Sequence, residues 1–255
     1  MSLRFAYLGS GSRGNSAVIT NGETVVMLDC GFSLKEAERR LRRLELEPDD
    51  IDAILVTHEH SDHIAGVGAF ARRHRAAVHM TDGTRASGRA GELPTVSAVY
   101  LGVPFEVGTI NVSPVPVPHD AREPVQYVFE DRGRRLGILT DLGHITPVVR
   151  EAFAACDALV VECNHDLDML SRGPYPRALK ERVGGHYGHL NNTQAAALLA
   201  EVEQSRLQHV LAVHVSEKNN TAALARDALS AVIDAPELAV DVACQNDGSA
   251  WREIL

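Results

Sequence analysis

Apolar residues in this chain of 255 residues fall into short runs, each about as long as one β-strand. Residues 3–8, 51–56, 158–162 and 207–213 are such runs, and each leads into a polar or glycine-containing stretch. Segments with helical periodicity or helix-start signals lie between the runs. Because no repeat, low-complexity tail or linker interrupts this alternation, we predict a single domain over residues 1–255.

Local signals near the amino terminus predict a hairpin followed by a helix. Asn21-Gly22 separates two β-runs, and we expect both residues to adopt the positive φ angles of a tight turn. Ser33 can cap a helix that runs to about residue 46, with Glu36 in the capping-box position. The polar face of this helix carries Arg39, Arg40, Arg42 and Arg43. We interpret this face as solvated, with contact to a phosphate as the alternative.

The densest group of polar side chains follows the apolar run that ends at residue 56. It reads Thr-His-Glu-His-Ser-Asp-His over residues 57–63. Because side chains alternate along a strand, His58 and His60 point in the same direction. Asp62 and His63 lie on the turn into the next helix and can be aimed at a second point nearby. Imidazole and carboxylate donors suit zinc, manganese or iron, so the stretch predicts metal binding rather than an accidentally histidine-rich loop.

Further residues of the metal-ligand type occur where other apolar strands end. They are Asp29, His119, Asp141, Glu162 and His214. A single histidine at a strand end is commonly satisfied by the backbone, and each of these residues alone would be a weak signal. Strand ends are also where rigid sheets hold reacting groups in enzymes. Taken with the histidine-rich stretch, the set favours one site for two metal ions.

Composition and charge limit the cellular setting and the partners. The chain is 45% hydrophobic and 23% charged, and no apolar run approaches the roughly 20 residues of a membrane helix. The amino terminus has no signal-peptide pattern, so we expect a cytoplasmic protein without a membrane partner. A net charge of −9 argues against coating duplex DNA, but bound metal ions would make a nucleic-acid substrate compatible with it. A homodimer is one alternative for the oligomeric state.

The cysteines form no metal-binding or redox pair. They are Cys30, Cys156, Cys163 and Cys244, which are widely spaced and contain no CxxC motif. We therefore expect buried free thiols at these positions.

The ordered motifs resemble those of the metallo-β-lactamase fold superfamily over nearly the whole chain. The matching positions are Asp29, His58-x-His60-x-Asp62-His63, His119, Asp141 and His214. The resemblance implies an α/β (α+β) fold, a four-layer αββα sandwich. It also implies a first metal ion on His58, His60 and His119, and a second on Asp62, His63 and His214. Asp141 would bridge the two ions, and Asp29 would hold a ligand or the loop rather than bind metal.

Within this superfamily, the nuclease and phosphodiesterase branch matches best. β-Lactamases and glyoxalase-II-type thioesterases follow the third-motif histidine with Gly-His-Thr, whereas His119 is followed by Asp-Ala-Arg-Glu-Pro. Residues 162–165 are similar to the strand-end acidic motif of this branch, and residues 188–196 are similar to a helix start in RNase Z-type enzymes. The segment 9–16, Gly-Ser-Gly-Ser-Arg-Gly-Asn-Ser, is closest to YycJ/WalJ-like members, which are thought to be nucleases. Residues 120–140 are too few for the long arm with which RNase Z grips tRNA.

The resemblance implies a dinuclear metal-dependent hydrolase that cleaves a phosphodiester with a metal-bridging hydroxide. We assign catalytic roles to Asp62, to His189 as general acid, and to Glu162, which would orient His189 and raise its pKa. Two divalent ions are expected, with zinc first and manganese or iron as alternatives. One alternative is a thioester or lactone hydrolase of the same fold. The other is a non-catalytic metal-binding or redox protein.

Overall fold

The computed structural model describes residues 2–235 and 237–255, and within these ranges strands and helices alternate. The strands are β1 (Leu3–Gly9), β2 (Ser16–Thr20), β3 (Val25–Leu28), β4 (Ala53–Leu55), β5 (Ala77–Met80), β6 (Val96–Ala98), β7 (Phe105–Val107), β8 (Ile110–Pro116), β9 (Val125–Asp131), β10 (Arg134–Leu139), β11 (Ala158–Glu162), β12 (His209–Val213), β13 (Val240–Val242) and β14 (Arg252–Ile254). The helices are α1 (Leu34–Arg43), α2 (Ser61–Ile64), α3 (Val67–His74), α4 (Asp82–Ala86), α5 (Pro147–Phe153), α6 (Leu167–Arg172), α7 (Arg177–Val183), α8 (Asn192–Glu201) and α9 (Ala222–Ser230). None of the helices in these ranges has the length and hydropathy needed to cross a bilayer.

The strands form two seven-stranded sheets. The first sheet has the order β14-β1-β2-β3-β4-β5-β6, and the second has the order β13-β12-β11-β10-β9-β8-β7. Strands β3 to β6 run parallel in the first sheet, and strands β10 to β13 run parallel in the second. The two sheets therefore share one pattern of antiparallel and parallel pairing.

Large apolar side chains fill the space between the sheets. Phe5 and Leu55 from the first sheet and Tyr127, Leu136 and Leu211 from the second are fully buried there. Burial on this scale removes apolar surface from water, which is the main favourable contribution to folding.

Helices cover the outer face of each sheet. Leu41 of α1 and Phe70 of α3 pack against the first sheet. Phe153 of α5, Leu199 of α8 and Leu229 of α9 pack against the second. The order of layers is helix, sheet, sheet, helix, so the predicted αββα sandwich is confirmed.

The parallel strands bring their carboxyl ends to one edge of each sheet. Leu28 of β3 is in register with Leu55 of β4 in the first sheet. Glu162 of β11 is in register with Val213 of β12 in the second. Residues that follow these strands therefore lie side by side at one edge, the usual position for ligand sites in such sheets.

The predicted geometry of the first hairpin is wrong in detail. Gly22 has a positive φ of 86°, whereas Asn21 does not have a positive φ. The loop spans four residues because the Asn21 side chain accepts hydrogen bonds from Glu23 N (3.1 Å) and Thr24 N (3.0 Å).

The prediction for the start and the polar face of α1 is also partly wrong. Ser33 makes no side-chain capping hydrogen bond, and Glu36 instead pairs with Arg40 at 2.6 Å. Arg40 is only 6% exposed and donates to Leu8 O (2.7 Å) and Gln245 O (3.0 Å). The buried guanidinium group is therefore paired with a carboxylate and with carbonyl oxygens, as a buried charge requires.

All four cysteines are free, as predicted. Cys30, Cys156 and Cys163 are buried, whereas Cys244 is exposed. Cys244 pairs through its backbone with Gly248 in a surface turn, which explains this exception.

Candidate metal centre

Backbone contacts from the amino-terminal loop fix the histidine-rich stretch, residues 57–63. Asn15 N donates a hydrogen bond to Asp62 O over 2.7 Å. A Cβ atom on Gly31 would lie 1.8 Å from the same carbonyl oxygen, so only glycine fits at that position. These contacts orient the short helix α2, which carries the side chains of Asp62 and His63.

The first group of candidate ligands consists of His58, His60 and His119. One nitrogen of each ring lies within 4.8 Å of the others, and His60 Nδ1 is 3.2 Å from His119 Nε2. His58 and His60 come from the turn after β4, and His119 follows β8. The structure therefore brings the three residues predicted for the first ion together.

The remaining nitrogen of each of these rings has a hydrogen-bond partner outside the group. The partners are Thr57 Oγ (2.9 Å from His58 Nδ1), Gly188 O (3.0 Å from His119 Nδ1) and Asp120 O (3.2 Å from His60 Nε2). A proton on the outer nitrogen leaves a lone pair on the inner nitrogen, as in known metal-binding histidines.

The second group consists of Asp62, His63 and His214. Asp62 Oδ2 lies 3.6 Å from His63 Nε2 and 3.6 Å from His214 Nε2. The Asp141 carboxylate lies 2.9 Å from His63 Nε2 and also belongs to a donor group with His58. Asp141 is thus located between the two groups, which is the position expected of a bridging ligand.

Asp29 lies behind this second group, is buried and does not border the cavity that Asp62 and His214 line. His63 Nδ1 donates to Asp29 Oδ2 over 2.7 Å. Thr57 donates to the same carboxylate from its backbone N and from Oγ, each over 2.8 Å. Asp29 therefore holds a candidate ligand and the loop that carries it.

Glu162 connects two histidines at the other side of the site. Its Oε1 accepts hydrogen bonds from His189 Nδ1 (2.8 Å) and His214 Nδ1 (2.9 Å). Its Oε2 accepts from the backbone N of Leu190 (3.0 Å) and Leu142 (3.2 Å). The fully buried carboxylate fixes both rings, with His189 Nδ1 3.3 Å from Asp141 Oδ1.

Burial and neighbouring charges shift the pKa values of this pair in opposite directions. Burial favours the neutral form of His189, but Glu162 and Asp141 outweigh it and raise the His189 pKa to about 9. Burial would raise the pKa of Glu162, but His189 and His214 hold it at about 2. The pair is therefore an imidazolium and a carboxylate near neutral pH.

Burial and neighbouring charges also shift the pKa values of the candidate ligands. Burial, reinforced by His63, lowers the pKa of His58, and burial also lowers that of His119. Burial opposes protonation of His63, but Asp141 and Asp62 raise its pKa well above the ordinary value. His58 and His119 therefore favour the neutral form that can bind a cation, whereas the carboxylates beside His63 favour its protonated form.

Three strand ends at this site adopt a left-handed backbone conformation. Asp29, Asp141 and His214 have φ angles of 56°, 48° and 53°. Non-glycine residues seldom adopt this conformation, and such strain is characteristic of functional sites. The conformation turns each side chain out of its strand and toward the shared edge.

The residues present fit a pair of divalent cations. His58 Nε2 and His214 Nε2 are buried side-chain nitrogens with no hydrogen-bond partner in the described part of the chain. Each belongs to a different donor group. A buried unpaired nitrogen is costly unless a ligand satisfies it, so one cation in each group would complete the site.

Comparison with known proteins agrees with this geometry. Residues 24–215 match the family model of the β-lactamase superfamily domain. The chain belongs to the metallo-β-lactamase superfamily. It is also 36% identical over 238 residues to exodeoxyribonuclease YycJ of Bacillus anthracis, covering 92% of this chain and 90% of the relative. Exodeoxyribonuclease WalJ of Streptococcus pneumoniae is 32% identical over 228 residues, which are 87% of this chain and 85% of that protein.

The predicted YycJ/WalJ relationship is therefore confirmed. Among solved structures, the metallo-β-lactamase fold protein YhfI of Bacillus subtilis superposes with a TM-score of 0.78. The superposition covers 99% of this chain and 100% of the other at 15% identity, so it supports the fold alone. Membership in the superfamily implies that the centre binds divalent metal ions.

The metal centre of this superfamily member opens into a cavity of about 440 Å³. The residues of the site that line it include Asp62, Asp141, His189 and His214. Its walls include Ser12, Arg89, Asn164, Tyr175, Arg182 and Ser216. Substrate-sized molecules can therefore reach the candidate ligands and the candidate acid together.

Some residues at the site were not singled out from the sequence. Asn15 Nδ2 lies 3.2 Å from Asp62 Oδ2 and 3.1 Å from His63 Nε2, and Ser10 Oγ accepts from His214 N over 2.8 Å. The only signal in the sequence is the glycine-rich segment 9–16, to which both residues belong. Arg13 of the same segment pairs with Glu217 at the surface.

Proposed function

We propose that this metal-dependent hydrolase is a phosphodiesterase that cleaves nucleic acid, with DNA as its substrate. The full-length relatives YycJ and WalJ are named exodeoxyribonucleases, and the match covers most of each chain. The observation that carries the proposal is the position of His189. Its Nδ1 lies 3.3 Å from the Asp141 carboxylate, which is shared by the two donor groups, and 2.8 Å from the Glu162 carboxylate.

We propose two zinc ions as the metal content, with manganese or iron as alternatives. The proposed ligands are His58, His60 and His119 for one ion and Asp62, His63 and His214 for the other, with Asp141 shared between them. Three imidazoles, or two imidazoles with carboxylates, suit zinc. Divalent ions held in this way stabilise negative charge on a phosphate and lower the pKa of an attacking water.

His189 is the residue that we propose to protonate the leaving oxygen. Its Nδ1–H donates to Glu162 Oε1, and the ring borders the cavity. Because Glu162 and Asp141 raise its pKa to about 9, the ring carries the required proton at neutral pH. Asp62 also borders the cavity, where we propose that its carboxylate orients the attacking water.

The proposal is tested with purified protein loaded with zinc or manganese. We expect metal-dependent release of nitrophenol from bis(p-nitrophenyl) phosphate and cleavage of labelled DNA, both abolished by Asp62→Ala. Labelled RNA and a thioester substrate run in parallel. Preferential hydrolysis of the thioester, with no cleavage of any phosphodiester, would contradict the proposal.

A further inference from the structure

Two arginines and three aspartates, Asp62, Asp120 and Asp141, border the cavity at the metal centre. Arg89 and Arg182 both border it and lie near His60. Uncharged residues, which include Ser12 and Ser216, also line the cavity. In a chain with a net charge of −9, two arginines at this entrance need an explanation.

Contacts to the loops around His60 hold both arginines in place. Arg89 Nη1 donates to Glu59 O over 3.1 Å. Arg182 Nε donates to Asp120 Oδ2 over 2.5 Å, and the Asp120 carbonyl oxygen accepts from His60 Nε2. The two side chains are therefore anchored beside the candidate metal ligands rather than free in solution.

These anchoring contacts leave guanidinium donors available. Among the described residues, the two Nη groups of Arg182 have no hydrogen-bond partner, nor do Nε and Nη2 of Arg89. A guanidinium group can bind a phosphate through two parallel N–H donors. Arg177 of α7 pairs with Glu181 through Nε, as Arg182 does with Asp120, but it does not border the cavity.

We propose that Arg89 and Arg182 bind a non-scissile phosphate of the substrate, adjacent to the one that is hydrolysed, on the His60 side of the metal centre. This inference rests on the proposed phosphodiesterase function. It makes the substrate a strand with consecutive phosphates, since an isolated diester has no second phosphate for these residues. The phosphate contacts position the strand and carry no base specificity.

The test compares two substrates in the metal-loaded protein. Arg89→Ala and Arg182→Ala should each lower kcat/KM for a short single-stranded DNA about 10-fold, mainly through KM, because each removes a charge-assisted contact. Loss of kcat/KM for bis(p-nitrophenyl) phosphate should be several-fold smaller. The double variant should also reduce the slope of log kcat/KM against log salt concentration by about 0.7, the contribution of one phosphate contact to a single strand, and each single variant should reduce it by less.

Arg177→Ala is the matched control, since it removes an exposed arginine from the same helix without touching the cavity. It should change neither substrate ratio nor salt slope. Equal losses for both substrates in Arg182→Ala, together with a lower metal content, would assign Arg182 to support of the centre and overturn the inference. So would unchanged DNA cleavage in the double variant. If the wild-type protein cleaves neither phosphodiester, the proposed function itself fails.

Discussion

The two sheets supply their share of the candidate metal centre in different ways. The first sheet contributes His58, His60, Asp62 and His63 from one continuous turn after β4. The second contributes Asp141, Glu162 and His214, which are far apart in sequence and meet because β10, β11 and β12 are parallel and in register.

The positions of the candidate ligands are therefore fixed in different ways in the two regions, the turn after β4 of the first sheet and the ends of β10, β11 and β12 in the second. In the first region, a local turn and its contacts with the amino-terminal loop determine the geometry. In the second region, the geometry depends on the pairing of the strands, because a shift of one residue would turn each side chain to the other face. Substitutions in the two regions should therefore differ in their effects on turnover, metal binding and stability.

The largest effect is expected for Asp141→Ala, which removes the carboxylate located between the two donor groups. Activity should fall by about 10⁴-fold or more, because charge stabilisation at both ions is disturbed. Bound metal, measured by elemental analysis after dialysis, should also fall. Full metal content with normal turnover would show that Asp141 bridges nothing.

His189→Ala tests a residue of the second region that is not a proposed ligand. We expect turnover to fall by roughly 10²–10⁴-fold, the usual cost of a lost general acid. Metal content should remain equal to that of the wild type. A variant that loses metal would show that His189 is a ligand instead of the proton donor.

Asp29→Asn weakens the support behind the first region without removing a ligand. Because Asp29 accepts the His63 Nδ1 proton, the variant should bind metal roughly 10–100-fold more weakly. Turnover should recover at saturating metal concentration. Competition with a chelating dye measures the affinity, and an unchanged value would mean that the Thr57 contacts alone hold the loop.

The smallest effect concerns His165, which follows β11 and whose side chain makes no hydrogen bond to another described residue. Both ring nitrogens are buried without partners, and burial lowers the pKa to about 4, although Glu162 opposes this shift. In the unfolded chain this histidine takes up a proton near pH 6.5, whereas in the folded protein it stays neutral until about pH 4. The stability that comes from this difference is therefore complete above pH 6.5 and is lost as the pH falls toward 4.

His165→Leu removes this titration. Between pH 7.5 and pH 5, the wild-type protein should lose about 2 kcal/mol of unfolding free energy relative to the variant. Urea unfolding in the presence of a chelator measures the difference without a contribution from metal. Parallel pH dependences in the two proteins would show that His165 is protonated equally when folded and unfolded.

Much of the fold could be predicted because strand ends carry distinctive residues. The motif resemblance led to the αββα sandwich, and the apolar runs marked the strands that support the site. The errors were local. Arg40 was assigned to solvent because helical periodicity cannot reveal that carbonyl oxygens of Leu8 and Gln245 lie within reach.

By itself, the sequence determined which residue types follow each strand and therefore which chemistry the protein can carry. Closely spaced ligands such as His58 and His60 can be recognised from the sequence, because alternate side chains of an extended segment point in the same direction. Only the tertiary structure decided the rest. The buried position of Asp29, the contact of Asn15 with Asp62 and the anchoring of Arg182 by Asp120 all join residues that are distant in sequence. Such contacts arise from strand pairing and packing, which no local pattern encodes.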